Sequence, residues 1–194
     1  MKKNNILLLP GDGVGPEIMS EAIKILDLFN SMKIIDLNYE YSDIGGIAID
    51  NSGSPLTKQT LEKAEKSDCI LLGAVGAKKH ENNDQKLKPE YGLLSLRKNL
   101  NLYANIRPIF LFDTLVNSSS LKPEIIKDLD IVIIRELIGD VYFGEPRGFN
   151  SNSNGKEAFN TMKYSEKEIS RIAKFAFNIA MKRLKKVTSV DKAN

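Results

Sequence analysis

Ile6-Leu7-Leu8-Leu9-Pro10-Gly11-Asp12-Gly13-Val14-Gly15-Pro16-Glu17 carries a short apolar run into a glycine-rich turn and out into a proline-led start. A continuous apolar run bounded by turn residues reads as a buried strand. Pro16 then opens a helix where its missing N–H costs nothing, running to about Phe29 with Ile18, Ala22, Ile25, Leu26 and Phe29 on one face. The same alternation continues downstream. Leu37 to Ile44 alternates like a strand and breaks at Gly45-Gly46, and Ser54-Pro55-Leu56-Thr57 leads into a helix ending near Lys66. Cys69 to Leu72 is a second buried strand, closed by Gly73-Ala74-Val75-Gly76. Strands alternating with helices across glycine turns predict an α/β fold. A Rossmann fingerprint is not met, because Pro16 stands where a glycine is required and no acidic residue ends a second strand at the proper interval. The turn still suits a close approach to a ligand.

Beyond this region the polar stretch Ala77 to Pro89 lacks periodicity and reads as a long loop, with His80 in it. A short helix is expected from about Gly92 to Leu100, a change of direction over Asn105 to Pro108, and a buried strand over Asp130 to Arg135. Val141-Tyr142-Phe143 reads as extended and Phe149 to Gly155 as a hairpin tip. Ser165 with Glu168 forms a capping-box signature, starting a helix with Ile169, Ile172, Ala173, Ala176, Ile179 and Ala180 inward. Lys182-Arg183-Leu184-Lys185-Lys186 closes that helix with cations that complement its dipole. Val187 to Val190 is read as a final strand, and the chain as the N-terminal part of a longer protein.

The 194 residues are 42% hydrophobic and 27% charged, ordinary for a globular protein, and the net charge of +3 has no basic stripe suited to nucleic acid. The apolar run after Met1-Lys2-Lys3 is too short for a signal peptide, and nothing reaches the length of a membrane span. Cys69 is the one cysteine and reads as a small core residue, so neither a disulfide framework nor a cysteine-based zinc site is possible. A cytoplasmic protein is the default expectation.

Arg97, Arg107 and Arg135 each stand at the end of an apolar run. Cations carried out of the core toward one cleft would bind a small polyanion, because guanidinium forks match carboxylate oxygens. Glu90, Leu93 and Arg97 fall on one helical face and could grip an alkyl group beside a carboxylate. Tyr142 lies in a glycine-flanked segment beyond Arg135, where a phenol beside cations suits proton donation. Lys192, leaving a strand after Asp191, can act as a base if partly desolvated. Each alone is more often a surface residue; together they describe proton transfer on a polycarboxylate.

The stretches LLPGDGVGPE, GGIAIDNSGSPL, LLGAVG, PEYGLLSLRKNLNLYANIRP, IRELIGDVYFGEPRG, FNTMKYS and KVTSVDKAN run in order through the chain. In this series the sequence resembles the isocitrate/isopropylmalate family of β-decarboxylating dehydrogenases, over roughly the first half of a family protein or a little more. The resemblance implies a two-domain α/β fold unlike Rossmann, incomplete in this chain. Residues 1–101 would be part of the first domain, and 102–194 part of the second, with a dimerisation arm at about 141–161 and a homodimer.

It further implies oxidative decarboxylation of (2R,3S)-3-isopropylmalate to 4-methyl-2-oxopentanoate with NAD reduction, in leucine biosynthesis. Arg97, Arg107 and Arg135 match the arginines that bind the malate carboxylates, and Leu93 and Glu90 match positions facing the isopropyl group and nicotinamide. Tyr142 matches the tyrosine that protonates the enol, and Lys192 the lysine that helps remove the hydroxyl proton in the partner's site. Gly76, Ala77, Lys78, Glu90 and Asn194 match the cofactor side. The Mg2+ or Mn2+ ligands are expected beyond Asn194, none being assigned in this chain, so the fragment alone is expected to be inactive.

The chain departs from the family at Ile138-Gly139-Asp140, usually Thr-Gly-Gly, and at Gly76-Ala77-Lys78-Lys79-His80, usually Gly-Gly-Pro-Lys-Trp. A carboxylate near the site would weaken turnover, and the altered loop would be looser. Alternatives are a tartrate- or isocitrate-type dehydrogenase, or a truncated relative acting as a dimerising or binding module. Gly92-Leu93-Leu94 suits an alkyl group better than the polar side chains an isocitrate site wants.

Overall fold

Leu7, Leu8 and Leu9 are essentially sealed from solvent. They belong to β1 (Asn4–Gly11), the middle strand of a three-stranded parallel sheet in a computed structural model that describes residues 3–152 and 155–191. The chain divides into two compact units, Met1–Leu100 and Asn101–Asn194.

In the first unit β1 leads into α1 (Gly15–Ser31) and then to β2 (Leu37–Tyr41), which pairs with β1 in parallel. Two helices follow, α2 (Gly46–Ser52) and α3 (Lys58–Lys66), before β3 (Cys69–Ala74) returns on the other side of β1. Thr57 caps α3 by accepting from the Thr60 N–H at 3.1 Å. Two 3-10 turns, Lys78–His80 and Gln85–Leu87, precede α4 (Pro89–Asn99). Leu7 and Leu9 pack with Ile44, Ala64 of α3 and Leu96 of α4, which is the core of this unit. The strand-to-helix turn needs Gly15, and the strand beside it Gly73: a Cβ on either would meet the Pro10 carbonyl oxygen, at 2.1 and 2.2 Å.

In the second unit β4 (Ala104–Phe110) and β5 (Asp130–Glu136) form an antiparallel ribbon, with the short α5 (Pro123–Ile126) between them. β6 (Gly148–Asn152) and β7 (Gly155–Phe159) form a hairpin, and α6 (Glu166–Met181) packs on β5. The capping box at its start is complete: the Ser165 N–H donates to Glu168 Oε2 at 2.7 Å, and the Glu168 N–H to Ser165 Oγ at 3.3 Å.

Several expectations are corrected. α1 turns Met19, Ala22, Ile23 and Leu26 inward and leaves Ile18, Ile25 and Phe29 exposed, because both stripes are apolar and periodicity cannot choose between them. Ile169 of α6 is likewise exposed. Cys69 is exposed as the first residue of an edge strand. Asn105 to Pro108 does not change direction but lies within β4; Pro108 is tolerated there because β4 and β5 pair only with each other among the described residues, which leaves each an unpaired edge. β5 is only half-buried for the same reason, with Ile131 and Ile133 exposed. Val141-Tyr142-Phe143 is not extended: Asp140–Tyr142 is a 3-10 turn, closed by the Gly144 N–H donating to the Asp140 carbonyl at 3.1 Å. Val187 to Val190 finds no neighbouring strand among the described residues and does not pair. His80, read as a loop residue, is buried.

Candidate active site

In the second unit Arg107 lies opposite Ile133, and Arg135 opposite Asn105. That register makes the two arginines diagonal neighbours on one face of the ribbon. Arg107 Nε donates to Asn105 Oδ1 at 2.6 Å, so the neighbouring amide orients its side chain. Arg135 Nη2 donates to the Tyr142 hydroxyl at 3.1 Å, and its guanidinium carbon lies 5.4 Å from the Tyr142 ring centroid. Both arginines and Tyr142 are exposed, leaving the guanidinium edges accessible to an anion.

Tyr142 is held from the backbone as well. Arg147 Nη2 donates to its carbonyl at 2.8 Å, and Arg147 Nε to Glu145 Oε1 at 3.3 Å. The preceding turn is shaped by Asp140, whose φ of 74° lies in the left-handed region that favours glycine. Its Oδ1 is buried with no hydrogen-bond partner among the described residues. Tyr164 packs against Gly139, where a Cβ would meet its ring at 2.7 Å. Burial first, then the Asp140 carboxylate, hold the Tyr164 phenol above its ordinary value, with the Arg135 charge opposing.

The first unit carries the remaining expected residues that are described. Glu90, Leu93 and Arg97 fall along α4, with Glu90 exposed in its first turn and Leu93 and Arg97 half-buried. Gly76 has a φ of 139°, and a Cβ there would stand 3.2 Å from Glu90 Oε1, so these two positions adjoin. Ala77 and Lys78 begin the first 3-10 turn.

Asp12 fixes this region. Its Oδ2 accepts from the N–H groups of Gly46 at 2.8 Å and Gly76 at 2.9 Å, and its Oδ1 from Ile47 at 2.8 Å. One carboxylate therefore ties the end of β1 to the start of α2 and to the loop after β3. Further along, the same loop carries contacts of its own. His80 Nε2 is 3.1 Å from Asp50 Oδ1, its Nδ1 is 3.2 Å from Asn83 Nδ2, and Lys79 pairs with the same Asp50. The hydrogen bond from Lys79 is the main reason the Asp50 carboxyl is held below its ordinary value.

The structure thus groups Arg107, Arg135 and Tyr142 in one unit, and Gly76 with Glu90 in the other. Arg97 belongs to the first unit, while Lys192 and Asn194 lie outside the described residues. Asp12, Glu136 and Arg147 were not anticipated. For Asp12 a usable signal existed, a carboxylate between two glycines at a strand exit; for Arg147 the sequence offers none.

The profile of the family described as isocitrate/isopropylmalate dehydrogenase matches residues 5–194. The 3-isopropylmalate dehydrogenase of Hydrogenovibrio crunogenus is 53% identical over 97% of this chain, which covers 53% of that protein. That of Neisseria gonorrhoeae is 53% identical over 98% of this chain, again covering 53% of the relative. The chain therefore spans about half the length of the curated relatives it matches. Among solved structures, a protein of Thermus thermophilus superposes with a TM-score of 0.71 at 25% identity, over 91% of this chain and 32% of that one. Isocitrate dehydrogenase from Methylococcus capsulatus gives 0.67 at 26% identity, over 92% and 48%. Sequence motifs, profile and fold agree, and the chain belongs to the isocitrate/isopropylmalate dehydrogenase family.

Proposed function

We propose that this chain supplies substrate- and cofactor-binding residues for the NAD-dependent oxidative decarboxylation of (2R,3S)-3-isopropylmalate to 4-methyl-2-oxopentanoate, a step of leucine biosynthesis in the cytoplasm. The observation that carries the reading is the Arg135–Tyr142 contact beside Arg107, a pair of cations with a hydroxyl acid at their edge. Arg107 and Arg135, with Arg97, bind the two carboxylates and fix the diacid's orientation. Leu93 and Glu90 flank the alkyl group. Lys192 takes the hydroxyl proton in the partner subunit's site, and Tyr142 returns a proton to carbon once carbon dioxide has left.

Gly76, Ala77, Lys78, Glu90 and Asn194 are assigned to NAD, which supplies a hydride acceptor when bound. The open, side-chain-free position at Gly76 beside the Glu90 carboxylate fits a loop that approaches a cofactor closely. A divalent ion does not fit the described residues by themselves, since no three His, Cys, Asp or Glu side chains gather among them.

Residues 1–101 are read as part of the first domain and 102–194 as part of the second. The β6–β7 hairpin, with Phe149 84% exposed, is the arm that would meet a second copy in a homodimer. The test is calorimetric titration of the chain with 3-isopropylmalate, isocitrate and tartrate. Preferential binding of 3-isopropylmalate is expected; preference for isocitrate overturns the assignment.

A further inference from the structure

Glu136 immediately follows Arg135 in β5, so the two side chains emerge on opposite faces of the ribbon. Arg135 reaches Tyr142, whereas Glu136 reaches α6, where its side chain is only 7% exposed. Its Oε1 accepts from Arg171 Nη2 at 2.8 Å, from the Ile138 N–H at 2.9 Å and, more weakly, from the Gly139 N–H at 3.4 Å. Its Oε2 accepts from Arg171 Nε at 3.3 Å. Arg171 is fixed in turn: Nη1 donates to Asn101 Oδ1 at 3.2 Å, and its guanidinium lies 4.6 Å over the Tyr103 ring.

Ile138 and Gly139 begin the turn that delivers Tyr142, and the Asp140 N–H is held by the Lys163 carbonyl at 3.0 Å. One carboxylate that grips consecutive N–H groups, itself clamped by a bidentate arginine, sets where that turn leaves the strand. We infer that Glu136 and Arg171 are positioning residues for Tyr142: they hold the turn so that its hydroxyl meets Arg135. This rests on reading Arg135 and Tyr142 as site residues. A purely structural ion pair would stabilise α6 and leave Tyr142 indifferent.

The test is carbon-detected NMR of the whole chain with tyrosine labelled at Cζ, Tyr142→Phe identifying the signal. Arg171→Ala and Glu136→Gln are expected to shift and broaden the Tyr142 line, and Arg171→Lys to return it part of the way. A lower melting temperature with the Tyr142 line at its native position in both folded variants overturns the inference. If Arg171→Ala does not fold, Glu136→Gln decides alone, because the isosteric amide keeps the packing while its NH2 replaces one acceptor oxygen and breaks the bidentate clamp with Arg171. Adding 3-isopropylmalate to the unaltered chain separates the two readings. An unperturbed Tyr142 line there counts against the proposed function, while the ligand-free variant spectra judge the positioning role.

Discussion

Arg135 and Tyr142 are linked twice, by a hydrogen bond of 3.1 Å and by a guanidinium 5.4 Å from the ring centroid. A carboxylate bound at Arg135 would therefore sit within reach of the Tyr142 phenol, the group proposed to return the proton. Arg135→Ala should weaken 3-isopropylmalate binding by roughly 1.5–3 kcal/mol, about ten- to a hundredfold. Arg135→Lys, which keeps the charge but loses the fork and the stacking, should fall between. Isothermal titration of the three proteins checks this; equal affinities would remove Arg135 from the site.

Asp140 combines a φ of 74° with a buried, unpartnered Oδ1. Left-handed backbone costs an L-residue about 1–2 kcal/mol and an unsatisfied buried acceptor about 1–3, whereas the extra freedom of an unfolded glycine costs about 0.4–1. The balance predicts that Asp140→Gly stabilises the chain by about 1–4 kcal/mol. A urea midpoint that falls instead would show that the carboxylate is satisfied by something that offsets the strain.

Asp12 accepts three N–H groups from two segments far along the chain. Asparagine keeps one acceptor oxygen and turns an NH2 toward donors, so Asp12→Asn should cost about 2–3 kcal/mol. Amide exchange at Gly46, Ile47 and Gly76 should accelerate together. Unchanged protection at Gly76 would mean that the loop after β3 has another anchor.

The N-terminus of α6 should be sensitive to acid. The Ser165 N–H, and then the Ser165 hydroxyl, hold the Glu168 carboxyl below its ordinary value. A group depressed in the folded state contributes stability above its unfolded pKa and loses it as pH falls through the folded one. Unfolding free energy should therefore decline below about pH 4.5 more steeply in the native chain than in Glu168→Gln. Ser165→Ala should cost about 1 kcal/mol at neutral pH. Identical acid profiles for native and Glu168→Gln chains would contradict this account.

Local chemistry was legible where one residue type had one use. The Ser165–Glu168 cap, the Thr57 helix start and the Gly11-to-Gly15 turn could all be read directly, as could the family. Pairing was not, because it depends on partners remote in sequence. Val187 to Val190 has strand composition but no neighbouring strand among the described residues, and Pro108 disguised β4 as a bend. α1 offered two apolar stripes and the sheet took the one centred on Met19. His80 was legible as a loop residue, but nothing nearby in sequence announced its contact with Asp50. At the site, the arginines were visible as cations after apolar runs, but Glu136 and Arg171 are 35 positions apart and no local pattern joins them.

With β1 flanked on both sides, no strand among the described residues pairs with the outer edges of β2 and β3, which keep a row of amides and carbonyls. Such a margin is a template onto which a strand of another molecule can add, and Cys69 lies on it with its thiol exposed. Concentrated solutions of this chain should accordingly grow into assemblies along that border, and air oxidation would rivet neighbouring copies together.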